Sequence, residues 1–150
     1  MTTPQVSEED IVRQLATEIR LLEGSVNALQ TRLEFVRAAI SEVTVAHDTV
    51  TGLKQLESGD PVLVPVGAGA YVRMSIADSK NLMMSIGAGA AMEKNVESSV
   101  EDLKSRLQDL EKARTSIEQQ LQQTVSRYQQ DRDALEDIME KREAGVKKTS

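Results

Sequence analysis

The stretch Leu63-Val64-Pro65-Val66-Gly67-Ala68-Gly69-Ala70-Tyr71-Val72 decides how this chain folds, because it recurs. Val64 to Val72 aligns with Met84-Ser85-Ile86-Gly87-Ala88-Gly89-Ala90-Ala91-Met92, twenty residues later. Around each Gly-Ala-Gly the apolar residues alternate. Val62, Val64 and Val66 precede the first, and Val72, Met74 and Ile76 follow it. Leu82, Met84 and Ile86 precede the second, and Met92 follows. A period of two is the mark of a strand with one apolar face. Gly67 and Gly69, and again Gly87 and Gly89, stand where a tight hairpin turn requires positive φ. Asp78-Ser79-Lys80-Asn81 supplies the turn between. Residues 61–94 therefore read as two consecutive β-hairpins. A phosphate loop is the poorer reading. No Lys-Ser/Thr follows, the third glycine of a dinucleotide fingerprint is missing, and a strand stands where a helix should.

On both sides of the hairpins the period changes to seven. Upstream, Val12, Ile19, Val26, Leu33 and Ile40 form one series, continued by His47. Leu15, Leu22, Leu29, Val36, Val43 and Val50 form a second, offset by three. These are the a and d positions of a coiled-coil helix. Ser7 and Asp10 form a capping-box pattern at its start, with Val6 and Ile11 at the staple positions. The helix is expected over 8–56, ending before Ser58-Gly59-Asp60-Pro61. Downstream, Asn95 is a candidate N-cap. Val100, Leu107, Leu121, Tyr128 and Leu135 form one series, which Arg114 interrupts. Val96, Leu103, Leu110, Ile117 and Ile138 form the other, which Thr124 and Asp131 interrupt. That helix is expected over 95–143, with Gly145 ending it.

Two such helices joined by hairpins pair only if they run antiparallel. An a residue then faces a d residue. Val12 with Ile138, Leu15 with Leu135, Leu29 with Leu121, Leu33 with Ile117, and Val50 with Val100 all satisfy one register, in which the two numbers add to 150. The weak layers are Ile19 with Asp131, Val26 with Thr124, and Val36 with Arg114. The strands have no such partner. A lone hairpin is marginal in water, its edges carry unpaired backbone groups, and its apolar face has nothing left in the chain to cover it. The expectation is an obligate oligomer built through the strands, with helical arms projecting from it.

Composition agrees. Of 150 residues only 2% are aromatic, so the apolar content goes to Leu, Val, Ile, Ala and Met on long helices rather than into a compact core. The absence of cysteine excludes disulfides, iron–sulfur clusters and thiol nucleophiles, and a single histidine, His47, excludes a multi-His metal site. A net charge of -6 argues against phosphate-backbone binding. No apolar run approaches the roughly 20 residues of a membrane span, and Met1 to Asp10 reads as neither signal nor transit peptide. Glu8-Glu9-Asp10, and Asp131, Asp133, Glu136 and Asp137, read as solvated helix faces rather than cation sites. His47 reads as a polar seam residue, with pH sensing as the alternative. Lys141, Arg142, Lys147 and Lys148 complement a helix C-terminus. No catalytic constellation, cofactor loop or metal set is present.

The order helix, two hairpins, helix, with Leu63-Val64-Pro65-Val66-Gly67-Ala68-Gly69-Ala70 and its echo Ser85-Ile86-Gly87-Ala88-Gly89-Ala90, resembles the alpha class of prefoldin subunits, archaeal in type. Beta-class subunits have one hairpin in place of two. The resemblance implies an α+β fold: a long antiparallel two-helix coiled coil whose hairpins join an intersubunit β-barrel, the whole chain forming one unit. It implies a cytoplasmic, ATP-independent chaperone, no enzyme, in an alpha2beta4 hexamer with beta-class subunits. Non-native clients would be gripped at the coiled-coil tips and passed to a group II chaperonin. No cofactor, nucleic acid or membrane enters. The tips place client contact on Val6, Ile11, Val12, Leu15, Ile19, Leu135, Ile138 and Met139. Of these, Val12, Leu15, Leu135 and Ile138 also read as plain seam residues. Oligomerisation falls on Val62, Val64, Val66, Val72, Met74, Ile76, Leu82, Met84, Ile86 and Met92. A scaffold whose arms hold one folded partner would share this architecture and differ in client range.

Overall fold

In the computed structural model, which describes residues 4–149, the order of elements is α1 (Glu8–Leu53), β1 (Pro61–Gly67), β2 (Ala70–Ser75), β3 (Asn81–Gly87), β4 (Ala90–Asn95) and α2 (Val96–Thr149). Two long helices thus flank two antiparallel hairpins. Contacts divide the chain into two units. One is a hairpin unit, Arg37–Lys112; the other is a helical unit, made of the residues up to Val36 and those from Ala113 onward.

Both helix starts follow their caps. The Asp10 N–H donates to Ser7 Oγ at 3.1 Å and the Ser7 N–H to Asp10 Oδ2 at 3.4 Å. Glu8, Glu9 and Asp10 fill the first turn of α1, where the helix dipole is positive. At α2 the Ser98 N–H donates to Asn95 Oδ1 at 2.7 Å. The helix ends depart from the sequence expectation. α1 stops at Leu53 rather than 56, because Lys54, Gln55 and Leu56 donate to carbonyls three residues back instead of four. α2 runs through Gly145 to Thr149. A helical glycine costs about 1 kcal/mol relative to alanine but does not by itself end a helix. Thr149 Oγ1 closes onto the Val146 carbonyl at 3.1 Å.

Within the helical unit the heptads hold. Val12, Leu15, Ile19, Leu22, Val26, Leu29 and Val36 are half-buried, and Leu33 is buried at 6% exposed. Ile117, its expected partner, is 4% exposed. Two ion pairs cross between the helices. Arg142 Nε donates to Glu8 Oε1 and Arg127 Nη2 to Glu18 Oε1, each at 2.7 Å. α2 therefore retreats as α1 advances, which is the antiparallel sense. Glu8 and Arg142 also obey the register rule of the apolar layers, so the heptad is continued by one charged layer.

The three interruptions keep their seam places instead of turning outward. Thr124 is half-buried, and its Oγ1 donates to the Gln120 carbonyl at 2.7 Å. Arg114 is half-buried with its Nε 4.0 Å from Glu118 Oε1. Asp131 is buried at 7% exposed. This corrects the reading of Asp131 as part of a solvated acidic face. Asp133, Glu136 and Asp137 are exposed as expected.

In the hairpin unit β1 pairs with β2 and β3 with β4, each as a separate two-stranded sheet. Val62 faces Met74 and Val64 faces Val72. Met84 faces Met92, and Leu82 faces Lys94. Each ladder shifts register before its turn, between Pro65 and Gly67 and between Ser85 and Gly87. Val66 and Ile86 are the extra residues of these bulges. The turns have positive φ at three successive residues: Gly67 at 107°, Ala68 at 51° and Gly69 at 75°, with Gly87, Ala88 and Gly89 alike. Positive φ at both central residues defines the type I′ turn, whose twist matches that of the strands. Gly69→Val meets open space, with nothing within 4 Å of a new Cβ. The whole penalty is then backbone strain, about 1–2 kcal/mol. A lowered thermal midpoint for the assembled protein checks this, and an unchanged midpoint refutes it.

The first turns of α2 anchor the second hairpin. Lys94 forms an ion pair with Asp102. Val96, Val100 and Leu103 are buried beside it, as is Ser99, whose Oγ donates to the Asn95 carbonyl at 2.8 Å. Between the hairpins Asp78 accepts the N–H groups of Lys80 (2.8 Å) and Asn81 (3.1 Å). These bonds, with that from the Asn81 side chain, hold its carboxyl below the usual carboxylate range.

Candidate functional site

The strands carry the first group of candidate residues. Val62, Val64, Ile76, Leu82 and Met84 are half-buried in the single chain. Val66, Val72, Met74, Ile86 and Met92 are exposed, from 40% for Val72 to 63% for Ile86. The opposite side of the same ladders is apolar too, with Leu63, Tyr71 and Met83 all exposed above 60%. The sequence reading assigned one uncovered face; the structure has two. The signal was present in the repeat, where Leu63 and Met83 occupy equivalent positions. Next to the second hairpin an open groove of about 500 Å³ is lined by Met84, Ile86, Met92, Lys94, Asp102 and Arg106. Apolar side chains on both sides of a two-stranded sheet, with both outer edges lacking a ladder partner, make a surface built to be covered.

The helical unit carries the second group. Val6, Ile11 and Met139 are exposed at 63%, 39% and 47%. Val12, Leu15, Ile19, Leu135 and Ile138 are half-buried in the seam. The structure brings Ile19, Leu135 and Met139 together in a shallow groove of about 380 Å³, with Tyr128, Arg132 and Glu136. The sequence reading has Tyr128 as a seam residue and Glu136 on a solvated face, assigns neither to the client surface, and passes over Arg132. Arg132 lies over the Tyr128 ring, 5.8 Å from its centroid, a cation–π arrangement that spacing by four on a helix permits. The groove thus has an apolar floor and a charged rim. Leu21 and Phe35, exposed at 68% and 73%, fall outside both heptad series and were also missed.

Asp131 gives this unit its electrostatic character. Its Oδ1 lies 3.5 Å from Arg127 Nε, and Arg127 reaches across to Glu18. Its buried Oδ2 finds no hydrogen-bond partner among the described residues. One arginine thus serves two carboxylates, one half-buried and one buried.

Among the described residues no group of three His, Cys, Asp or Glu could hold a metal ion, and no helix is long and apolar enough to cross a membrane. His47 is half-buried, with its Nδ1 3.5 Å from Asp48 Oδ1.

Comparison with known proteins agrees with this geometry. The family model described as "Prefoldin subunit" matches residues 22–141. The chain is 34% identical to the prefoldin subunit alpha of Methanopyrus kandleri, over 73% of this chain and 70% of that one. It is 31% identical to the prefoldin subunit alpha of Methanosarcina barkeri, over 91% and 94%. Among solved structures it resembles a chain of the filamentous PFD from Methanocaldococcus jannaschii. The TM-score is 0.63 at 23% identity, covering 76% of this chain and 94% of the other, which is a likeness of fold.

Proposed function

This chain belongs to the prefoldin family as an alpha-type chaperone subunit, and from that premise we propose that it captures non-native proteins without ATP and releases them to a group II chaperonin. One observation carries the reading. The chain leaves apolar side chains uncovered in two separate places, and the two call for different partners. The strands are ordered, with apolar groups on both sides, so they suit permanent burial against other subunits. Beta-class subunits in an alpha2beta4 hexamer are the proposed partners, through Val62, Val64, Val66, Val72, Met74, Ile76, Leu82, Met84, Ile86 and Met92. The chain acts there as a single prefoldin-like unit in the cytoplasm.

The helical unit suits reversible contact. Val6, Ile11 and Met139 are already exposed, and Val12, Leu15, Ile19, Leu135 and Ile138 become so when the helix ends part. Asp131 supports such parting, since a buried carboxylate with an unpaired oxygen gains hydration on opening. Methionine adds an adaptable contact. Each contact is weak, and several arms acting together raise the effective affinity.

The test is to assemble the chain with beta-class subunits and follow light scattering as a denatured, unrelated protein is diluted into the mixture. Suppressed aggregation without nucleotide is expected; a stable complex that gives no protection overturns the reading. Removing residues 1–11 and 139–150 should keep the complex and weaken capture severalfold. Undiminished capture would place the clients elsewhere.

A further inference from the structure

The groove in the helical unit has a chemistry that simple apolar burial does not require. Five of its six lining residues come from α2: Tyr128, Arg132, Leu135, Glu136 and Met139. Successive spacings of four, three and four put Tyr128, Arg132, Leu135 and Met139 in one row, about 16 Å long at 1.5 Å per residue. Ile19 joins them from α1. Three members of the row attract an aromatic ring, each by a different force. Tyr128, half-buried, brings a ring of its own, and rings pair edge-to-face or offset. Arg132 brings a positive charge, which is drawn to the negative face of a ring. Its guanidinium is planar and stacks on rings. It lies over Tyr128 and, among the described residues, forms no ion pair. Met139, 47% exposed, brings a thioether, which makes favourable contacts with ring edges. An aliphatic side chain in the same place would gain burial and nothing more.

The helical unit has no second ring to place there. Its one other aromatic residue is Phe35, sixteen residues along α1 from Ile19, or about 24 Å. Tyr128 accordingly has no aromatic partner among the described residues. An acidic guest is the other occupant that an unpaired arginine would draw. Glu136 lines the same groove and the chain carries a net charge of -6, and both repel such a guest. A second shallow groove of this unit, with Ala28, Leu29, Arg32, Gln120 and Gln123 in its lining, has an arginine but neither ring nor sulfur. We propose that the Tyr128 groove selects segments of non-native protein that carry aromatic side chains, and that Tyr128, Arg132 and Met139 set this preference. The inference rests on the capture reading above and names the class of segment that one groove takes.

The test titrates three short labelled peptides of equal length against the chain assembled with beta-class subunits. The first carries phenylalanine, the second leucine at the same places, and the third glutamate there. The phenylalanine peptide should bind about three- to tenfold more tightly than the leucine peptide, and the glutamate peptide least tightly. Arg132 is exposed, so Arg132→Gln leaves the seam as it is. Tyr128→Leu keeps a seam residue apolar, and Met139→Leu removes the sulfur at similar volume. Each should cost the phenylalanine peptide more than the leucine peptide, so that their ratio shrinks. Arg32→Gln, the same change in the second groove, should leave the ratio where it was. Equal binding of the phenylalanine and leucine peptides overturns the proposal. So does tightest binding of the glutamate peptide, a ratio that survives both Arg132→Gln and Tyr128→Leu, or an equal fall for Arg32→Gln. A complex that binds no peptide and lets a denatured protein aggregate refutes the capture reading itself. Protection from aggregation without a preference for phenylalanine refutes only the aromatic selection.

Discussion

Val64→Asp is expected to abolish assembly with partner subunits while the helices stay folded. Val64 faces Val72 across the ladder and is half-buried before any partner arrives. Covering that surface in an oligomer would bury the new carboxylate opposite Val72, with no cation directly across from it. An uncompensated buried charge costs about 3–5 kcal/mol, and the two-stranded sheet has little stability of its own to offset it. The helices do not depend on this face. α1 and α2 span 46 and 54 residues and are closed by their own seam and caps. The expected result is a monomer by native mass with far-UV helicity largely retained. Ile86→Asp, at the bulge of the second hairpin, should act in the same direction. An intact oligomer for Val64→Asp would remove the strands from the assembly surface.

Asp131→Leu is expected to tighten the helical unit and to weaken client capture. Leucine at a seam position removes a buried carboxylate with an unpaired oxygen and adds apolar contact with the half-buried residues around it. Replacing buried ionic groups by well-packed apolar ones stabilises by about 1–4 kcal/mol. By the same measure, amide hydrogen exchange in the two helix ends should slow about ten- to a thousandfold, since roughly 1.4 kcal/mol is a factor of ten. Leu15, Ile19, Leu135 and Ile138 would then be exposed for less of the time. Asp131→Asn keeps the shape without the charge and should fall between leucine and the wild type. Unchanged exchange would mean that the arm does not open at this layer. Slower exchange with full capture would mean that clients are held by surfaces already exposed, such as Ile11, Met139 and the Tyr128 groove.

Much of this was legible in the chain because it is periodic. A seven-residue repeat leaves few choices for a helix pair, and the rule that matched Leu33 to Ile117 extends to Glu8 and Arg142. The hairpin turns were legible from glycine. What escaped depends on neighbours rather than on pattern. Ala68 adopts a left-handed conformation because the glycines beside it and the strand twist impose one. Asp131 lies inward because Arg127, one turn back, and Glu18, on the other helix, form a charged bridge beside it. A charge in a heptad reads as an interruption, and its direction is set by a neighbour, Arg127, that is itself tied to the other helix. The second apolar side of the hairpins was hidden by Arg73, Ser85 and Glu93, which gave the appearance of a polar face. Gly145 misled because a glycine ends a helix only where the chain can leave it.

The two ties that cross between the helices, Glu8 with Arg142 and Glu18 with Arg127, are solvent-facing ion pairs on a chain of net charge -6. The apolar layers of the seam are not weakened by charge screening, whereas exposed charge pairs weaken as ionic strength rises. On the proposed opening of the arm ends, how readily they part would therefore be set partly by the medium. In dilute buffer the ties would hold the ends together, and in concentrated salt the same sequence would hold them more loosely.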